Sequence, residues 1–465
     1  MTAKQTPVAE TVPAIMNKQP RLGPAASFRF PRAQRFRLKN GLSVILIPKH
    51  DLPLVRLRLA FPGGTGADPA SAPGLAHVTA SMLERGAGAR ASLEFSGALQ
   101  DLGATLVSWV DQDHAQLDLA TLRRNLEPGL DLLMDALLRP RLTGGELDRL
   151  KRQLRGQVTQ RRARPAQIAH LALKAALFGD HPYGRPMIPL PTWLPAITPS
   201  RVRKFHQARY RPEGGVLIAA GDISTAELRA LLEPRMQGWV GAPPALLTPA
   251  DPPAQGPRLV LVHRPGATQS VIRAGHLGPA RGTKMYAAME TLNTVLGGSF
   301  TSRLNQNLRE DHGYTYGVRS MFLLRRRGGL FVTSTSVETE DTAAALAEIL
   351  KELRGAVESP LTRTELTKGK RLLVEEQPAR AETVAGLLEA HADLALNGLP
   401  LTQLDRFPEQ VNALTSAQIT AAARRLINAD KATIVVAGDV DKIGQALEVV
   451  YGEIQLRDVD GVRIK

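Results

Sequence analysis

GVLIAAGDIS at residues 215–224 and ATIVVAGDVD at residues 432–441 are the two phrases on which the fold turns. Each is a short apolar run closing on Gly-Asp, the pattern of a buried strand that ends in a turn. Gly221-Asp222 and Gly438-Asp439 lie 217 residues apart. One such phrase means little, but two closing matching stretches indicate a duplicated domain.

The stretches before them do match. RFRLKNGLSVILI (35–47) reads as two strands around Asn40-Gly41, a strong hairpin signal. LVRLRLAF (54–61) alternates, with Val55, Leu57, Leu59 and Phe61 on one face. Helices are expected near 74–84 and 92–102, strands at 104–110 and 114–120, and helices through 126–138, 143–162, 166–178 and 198–208. The second half repeats the order. Strands are expected at 258–264 and 269–275, helices near 284–296 and 301–311, and strands near 315–325 and 328–337. Helices near 341–354, 362–377, 380–396 and 416–427 follow. The expected fold class is α+β: two homologous domains, each a mixed, largely antiparallel sheet covered by helices. They span 29–239 and 258–465 and are joined by a Pro/Ala-rich linker at 240–257, VGAPPALLTPADPPAQGP. Residues 1–28, polar and Pro/Ala-rich, read as a flexible lead-in.

Length and composition agree. At ~100–200 residues per domain, 465 residues suggest two to four domains. With 43% hydrophobic residues the chain builds real cores, although only 4% are aromatic. The absence of cysteine excludes disulfides, thiolate zinc sites, iron–sulfur clusters and a cysteine nucleophile. The 59 Lys and Arg against 44 Asp and Glu give a net charge of +15, which raises a third reading, a basic polyanion-binding protein. The chain shows no helix-turn-helix, RNA-binding or zinc-finger signature, and nucleic acid is not the expected partner. No apolar run approaches the ~18–20 residues of a membrane span, and no signal peptide opens the chain as given. The lead-in fits either side of a bacterial inner membrane, with the periplasm slightly favoured.

Three places carry candidate chemistry. GLAHVTASMLERGA (74–87) is an apolar helical stripe bearing His77, and a lone helical His is ordinarily structural. LDRLKRQLRGQVTQRRARP (147–165) spaces Leu147, Leu150, Leu154 and Val158 as an amphipathic helix with a solvated Arg face. VLGGSFTSRLNQNLREDHGYTYGVRS (295–320) reads as a capped helix, a break at Gly313 and a strand carrying Tyr314 and Tyr316 on one face. Arg309 falls in the last turn of that helix, where its charge favours the carbonyl end.

With HPYGRP (181–186) and the Gly-Asp strand ends, these phrases make the chain resemble the pitrilysin/insulinase group of zinc peptidases. The likeness is to the short two-domain members: bacterial processing peptidases, the mitochondrial processing peptidase and the core subunits of the cytochrome bc1 complex. It runs from about Phe36 to about 455. The resemblance implies a His-x-x-Glu-His zinc motif on the first long helix, the Glu acting as general base, with a third ligand on a later helix. His77 matches the first ligand, but Ala80 stands in the place of the Glu and Ser81 in that of the second His, while Gln157 is the best match to the third ligand. No metal, no complete catalytic set and no hydrolysis by this chain alone are therefore expected.

The second half departs less. The resemblance implies an Arg and a Tyr facing the metal across the cleft, and Arg309 and Tyr316, seven apart in LREDHGYTY, match them, with Tyr314 as the rival for the hydroxyl. The glycine-rich loop of the mitochondrial zinc-less subunit has no counterpart beyond Gly297-Gly298 and Gly313. The expectation is a zinc-less, substrate-binding subunit of a heteromeric metallopeptidase, partnered by a zinc-bearing paralogue and acting on peptides or unfolded chains. The alternative is a non-enzymatic scaffold of the core-subunit type.

Overall fold

The computed structural model describes residues 28–246, 251–253, 256 and 258–464. Among these described residues twelve strands form two six-stranded sheets. The first contains β1 (Gln34–Arg37), β2 (Ser43–Pro48), β3 (Leu54–Pro62), β4 (Thr105–Val110), β5 (His114–Leu122) and β6 (Val216–Gly221), in the order β1-β2-β6-β3-β5-β4. The second contains β7 (Leu259–His263), β8 (Gln269–Gly278), β9 (Val318–Arg325), β10 (Gly328–Glu338), β11 (Thr433–Gly438) and β12 (Ile454–Arg457), in the order β12-β7-β11-β8-β10-β9.

Five strands of each sheet correspond in order, β2-β6-β3-β5-β4 to β7-β11-β8-β10-β9, as the duplicated Gly-Asp phrases predict. In each, one inner pair is parallel, β2 with β6 and β7 with β11, and the next three pairings are antiparallel. The sixth strands differ. β1 pairs antiparallel to β2 through the Asn40-Gly41 hairpin, whereas β12 returns from the C-terminal end and lies parallel to β7.

The helices of the first half are α1 (Leu75–Met82), α2 (Ser92–Asp101), α3 (Leu126–Leu138), α4 (Gly144–Arg162), α5 (Pro165–Phe178), α6 (Pro199–Arg209) and α7 (Thr225–Arg235). Those of the second are α8 (Tyr286–Asn293), α9 (Arg303–Asn305), α10 (Thr342–Glu358), α11 (Arg363–Glu382), α12 (Val384–Leu396), α13 (Gln403–Ala413), α14 (Ser416–Leu426) and α15 (Val440–Tyr451).

The strands at the centre of each sheet are apolar on both faces because both faces are covered. On β2, Val44 and Leu46 join the core beneath α3, while Ile45 and Ile47 join a second core on the opposite face. That opposite face is covered by α12, a helix from the other half of the chain, through Val384, Leu387 and Leu388. The exchange is mutual: α5 lays Ile168, Ala172, Leu173 and Ala176 against Val260, Val262, Val332 and Val435 of the second sheet. Each such buried Leu, Ile or Val contributes roughly 1.5–3 kcal/mol relative to exposure.

Polar groups complete the exchange. Arg58 of β3, only 4% exposed, bonds Asp118 of β5 and Glu389 of α12. The HPYGRP phrase forms a second tie. The Tyr183 hydroxyl donates to Asp113 Oδ1 (2.6 Å), and Asp113 Oδ2 accepts from the Arg326 N–H (3.1 Å) in the β9–β10 turn.

Some expectations need correction. Helices α7, α13 and α15 and strand β12 have no counterpart in the sequence reading. The helix expected at 380–396 starts at Val384, because Thr383 caps α12 through its hydroxyl (3.0 Å from the Gly386 nitrogen) while α11 runs on to Glu382. Phe28, placed at the end of the lead-in, stacks edge-on against Phe30 (5.2 Å) beside α12. Residues 1–27 of that lead-in lie outside the described residues, as do 247–250, 254, 255 and 257 of the linker. The linker's described residues form neither helix nor strand.

Candidate functional site

Helix α1 is set by its approach. Asp68 accepts from the Gly74 and Ala76 N–H groups (2.7 Å each), satisfying donors at the helix start. Gly74 has φ +86, and a Cβ there would lie 2.3 Å from Pro189 Cβ, so only glycine fits. Three faces of α1 then have different neighbours. Leu75, Val78 and Met82 pack on Leu147, Leu150 and Leu154 of α4. Ala76 and Ala80 point into the first core with Leu83. His77 and Ser81 fall on the third, half-buried face, and Gln157 is half-buried on α4. Arg85 ties the two helices through Gln153 Oε1 (2.5 Å).

These residues do not fit zinc. They offer one imidazole, one hydroxyl and one neutral amide, where a zinc site needs three good ligands. Ala80 is 1% exposed and fills core, so no group stands where a base would act. Burial pushes the His77 imidazole down to about 4, leaving it neutral at physiological pH. Among the described residues one group has metal-ligating reach, His263, Asp439 and Asp441 in the other half, with ligand atoms within 4.8 Å of one another. There His263 Nδ1 accepts from the Val440 N–H (3.2 Å) and Asp439 Oδ2 from the Gly266 N–H (3.1 Å), which fastens the strand ends of β7 and β11.

The second-half constellation is built around close backbone approach. A Cβ on Gly297 would lie 2.6 Å from the Ser320 nitrogen, so the glycine pair lets this turn press on β9. After α9 the chain widens into a π-helical turn, Gln306–Asp311, and Arg309 lies in it. The Arg309 guanidinium sits over the Phe300 ring at 4.3 Å, and its Nε is 3.6 Å from Glu310 Oε1. Phe300 is itself 70% exposed. Sequence reasoning passed over Phe300; an aromatic residue between the glycine pair and the start of α9, in a chain this poor in aromatics, was the available signal.

Tyr314 and Tyr316 precede β9 and lie in the irregular segment leading to it, with a bend at Tyr316, a correction to the strand placement. They have different surroundings. Tyr314 stacks on His312 (5.1 Å, 5° between planes) and packs against the second core. Tyr316 is 98% exposed, its hydroxyl in solvent. The segment is held by the Thr315 and Thr335 hydroxyls (2.9 Å) and by Asn305 Oδ1, which accepts from the Val318 N–H (2.9 Å). The structure therefore favours Tyr316 over Tyr314 as the available hydroxyl.

Similarity to known proteins follows the same two halves. Residues 43–189 match the family model described as "Insulinase (Peptidase family M16)", and residues 196–373 match "Peptidase M16 inactive domain". An uncharacterized zinc protease of Mycobacterium leprae is 27% identical over 411 residues, 85% of this chain and 89% of that protein. The non-peptidase homologue YmxG of Helicobacter pylori is 24% identical over 385 residues, 81% and 87% of the two chains. The crystal structure of a peptidase M16 inactive domain from Pseudomonas fluorescens superposes with a TM-score of 0.82 at 27% identity, covering 88% of this chain and 98% of that one. With both halves matched in order and the paired sheets in place, the chain belongs to the insulinase (M16) family of peptidases and their homologues.

Proposed function

We propose that this chain is the zinc-less, substrate-binding subunit of a heteromeric M16 peptidase, supplying Arg309 and Tyr316 to an active site whose metal lies on a paralogous subunit. The observation that carries the reading is the contrast between the halves. Ala80 puts a methyl group inside the core where the family's base stands, while Tyr316 is 98% exposed and Arg309 is held above Phe300.

The chemistry follows from these groups. The exposed Tyr316 hydroxyl can donate to a scissile carbonyl oxygen as that oxygen gains charge. The planar fork of Arg309 suits a backbone carbonyl or carboxylate of a bound peptide. The Phe300 ring limits the orientations of that fork, so less side-chain entropy is lost on binding. The partner subunit would supply metal-activated water; every group on this side binds and orients. A periplasmic location belongs to the same proposal, and cell fractionation tests it.

The test is cleavage of a quenched fluorogenic peptide by this chain, by a paralogue carrying an intact His-x-x-Glu-His, and by the mixture. Activity confined to the mixture is expected. Tyr316→Phe and Arg309→Ala should then each lower kcat/KM of the mixture by about 10- to 100-fold, with co-elution of the two subunits unchanged. Hydrolysis by this chain alone, or full activity of both variants, would overturn the assignment. A mixture that associates but lacks activity would favour the scaffold reading.

A further inference from the structure

The duplicated sheets carry an arginine at the same place. Arg58 of β3 lies opposite Ile218 of β6, and Arg273 of β8 lies opposite Val435 of β11. Ile218 and Val435 are 217 residues apart, the spacing of the two Gly-Asp phrases. Their surroundings correspond as well. Across the sheet, Asp118 and Val107 stand beside Arg58 where Ser334 and Arg319 stand beside Arg273. The covering helices α12 and α5 bury matching positions counted from their first residues, Leu387, Leu388 and Ala392 against Ile168, Ala169 and Leu173. In that alignment Glu389 and Asp393 of α12 correspond to His170 and Lys174 of α5.

The charges do not correspond. The set with Arg58 has three carboxylates, and two of them, Asp118 and Glu389, bond its guanidinium (2.6 Å each). The set with Arg273 has three cations, Arg273, Arg319 and Lys174, and no carboxylate. Burial works against the Arg58 charge, yet the bonds to Asp118 and Glu389 raise its pKa, whereas burial alone holds Arg273 down to about 10. Arg273 Nη2 donates to the Ala166 carbonyl at the start of α5 (3.1 Å), and its Nε is buried without a hydrogen-bond partner among the described residues. Lys174, 9% exposed, donates to the Arg185 carbonyl (3.3 Å). Directly opposed strand residues share a face, so Arg273, Ser334 and Arg319 stand side by side, the two arginine Cα atoms about 10 Å apart across the serine. Ser334 is half-buried and Arg319 exposed, so the gap above the serine opens to solvent.

We propose that Arg273, Ser334 and Arg319, backed by Lys174, form a cradle for a carboxylate of the bound peptide, so that this chain selects peptides carrying an acidic residue or a free C-terminus near Tyr316. The proposal rests on the peptide-binding reading above and names its substrate class. In the first sheet Asp118 fills the equivalent position from within; in the second the ligand fills it from outside. Two guanidinium groups and a hydroxyl offer charge-assisted hydrogen bonds to both carboxylate oxygens. Arg319 follows Tyr316 by three residues, which keeps their Cα atoms within about 11 Å, so one extended peptide spans both.

The experiment uses the full chain and three unstructured peptides of equal length, each with a neutral fluorophore. One has a central Glu and an amidated C-terminus, one has Gln in place of Glu, and one has Gln and a free C-terminus. Affinity is read by anisotropy. The native chain should bind at least one carboxylate-bearing peptide about 10-fold more tightly than the Gln amide, and which one tells whether a side chain or a terminus is held. Ser334→Asp rebuilds the Asp118 arrangement, so it should erase the preference while raising the melting temperature. Arg319→Gln should remove most of the preference; Arg319 is exposed, so this variant decides the matter even where Ser334→Asp fails to fold. A preference spread over the net charge of +15 would survive both substitutions nearly intact and would overturn the cradle. Equal affinity of the native chain for all three peptides would overturn it too and leave the peptide-binding reading standing. No binding of any peptide, alone or with the paralogue, would overturn both.

Discussion

At His77 burial alone decides the charge. The folded protein holds this ring down to about 4, whereas an unfolded chain protonates it near 6.5. Between those values the unfolded state binds the extra proton, so the stability linked to His77 is present above pH 6.5 and is lost as pH falls toward 4. For a half-buried ring the loss should be about 1–2 kcal/mol between pH 7 and pH 5. His170 is pushed further, to about 3, by burial and by Arg273, Lys174 and Arg325 around it, and acts in the same direction. Urea midpoints at pH 7 and pH 5 should therefore differ markedly, and His77→Gln should narrow the difference. A ligand histidine in an apo metal site would respond to zinc at pH 7; added zinc should move the midpoint of the native chain no more than that of His77→Gln, because Ala80, Ser81 and Gln157 offer nothing to complete the site.

Among the elements, the exchanged helices make the sharpest demands on single residues. Arg58 is buried between Asp118 and Glu389, and Arg58→Ala would leave the half-buried Asp118 without a cation. A loss of about 3 kcal/mol is expected, the usual cost of breaking a buried pair from one side. Glu389 is 62% exposed, and Glu389→Ala should cost less than ~1 kcal/mol. Thermal melts of the two variants compare these directly. Equal losses would mean that α12 is held by the carboxylate, and not by its apolar face.

The same elements show what the sequence could and could not disclose. Long segments with many apolar anchors were legible: α3 runs over 126–138 as its Leu spacing predicts, and β11 falls inside the second Gly-Asp phrase. Helix α7 was not, because it buries only Leu228 and Leu232, one turn apart, too little for a periodic signal. Helix α15, with Ile443, Gly444 and Leu447 buried, fails for the same reason. Arg309 and Tyr316 are candidates through spacing within a resemblance; the exposure of Tyr316 and the Phe300 ring beneath Arg309 were not legible, because both follow from tertiary placement and not from spacing.

Over the whole molecule, each sheet has one apolar face covered by a helix from the other half. Neither half can then bury its β-strands alone. A single cooperative transition is expected in calorimetry, with the calorimetric and van't Hoff enthalpies in agreement. Two separated transitions would mean that α5 and α12 contribute little to holding the halves. The strong association of the halves also bears on function, because a cleft that opens and closes would have to lie between subunits and not within this chain.

The helix exchange also sets a schedule for biosynthesis. When the ribosome has released β6, the first sheet is complete, yet Ile45, Ile47, Ile218 and Ala220 await α12, which is still to be translated. At ~5–20 residues per second that interval is on the order of 10–35 s. During it the nascent chain carries an uncovered apolar sheet face, the kind of surface that molecular chaperones bind, and a slow codon placed before residue 384 would lengthen the exposure.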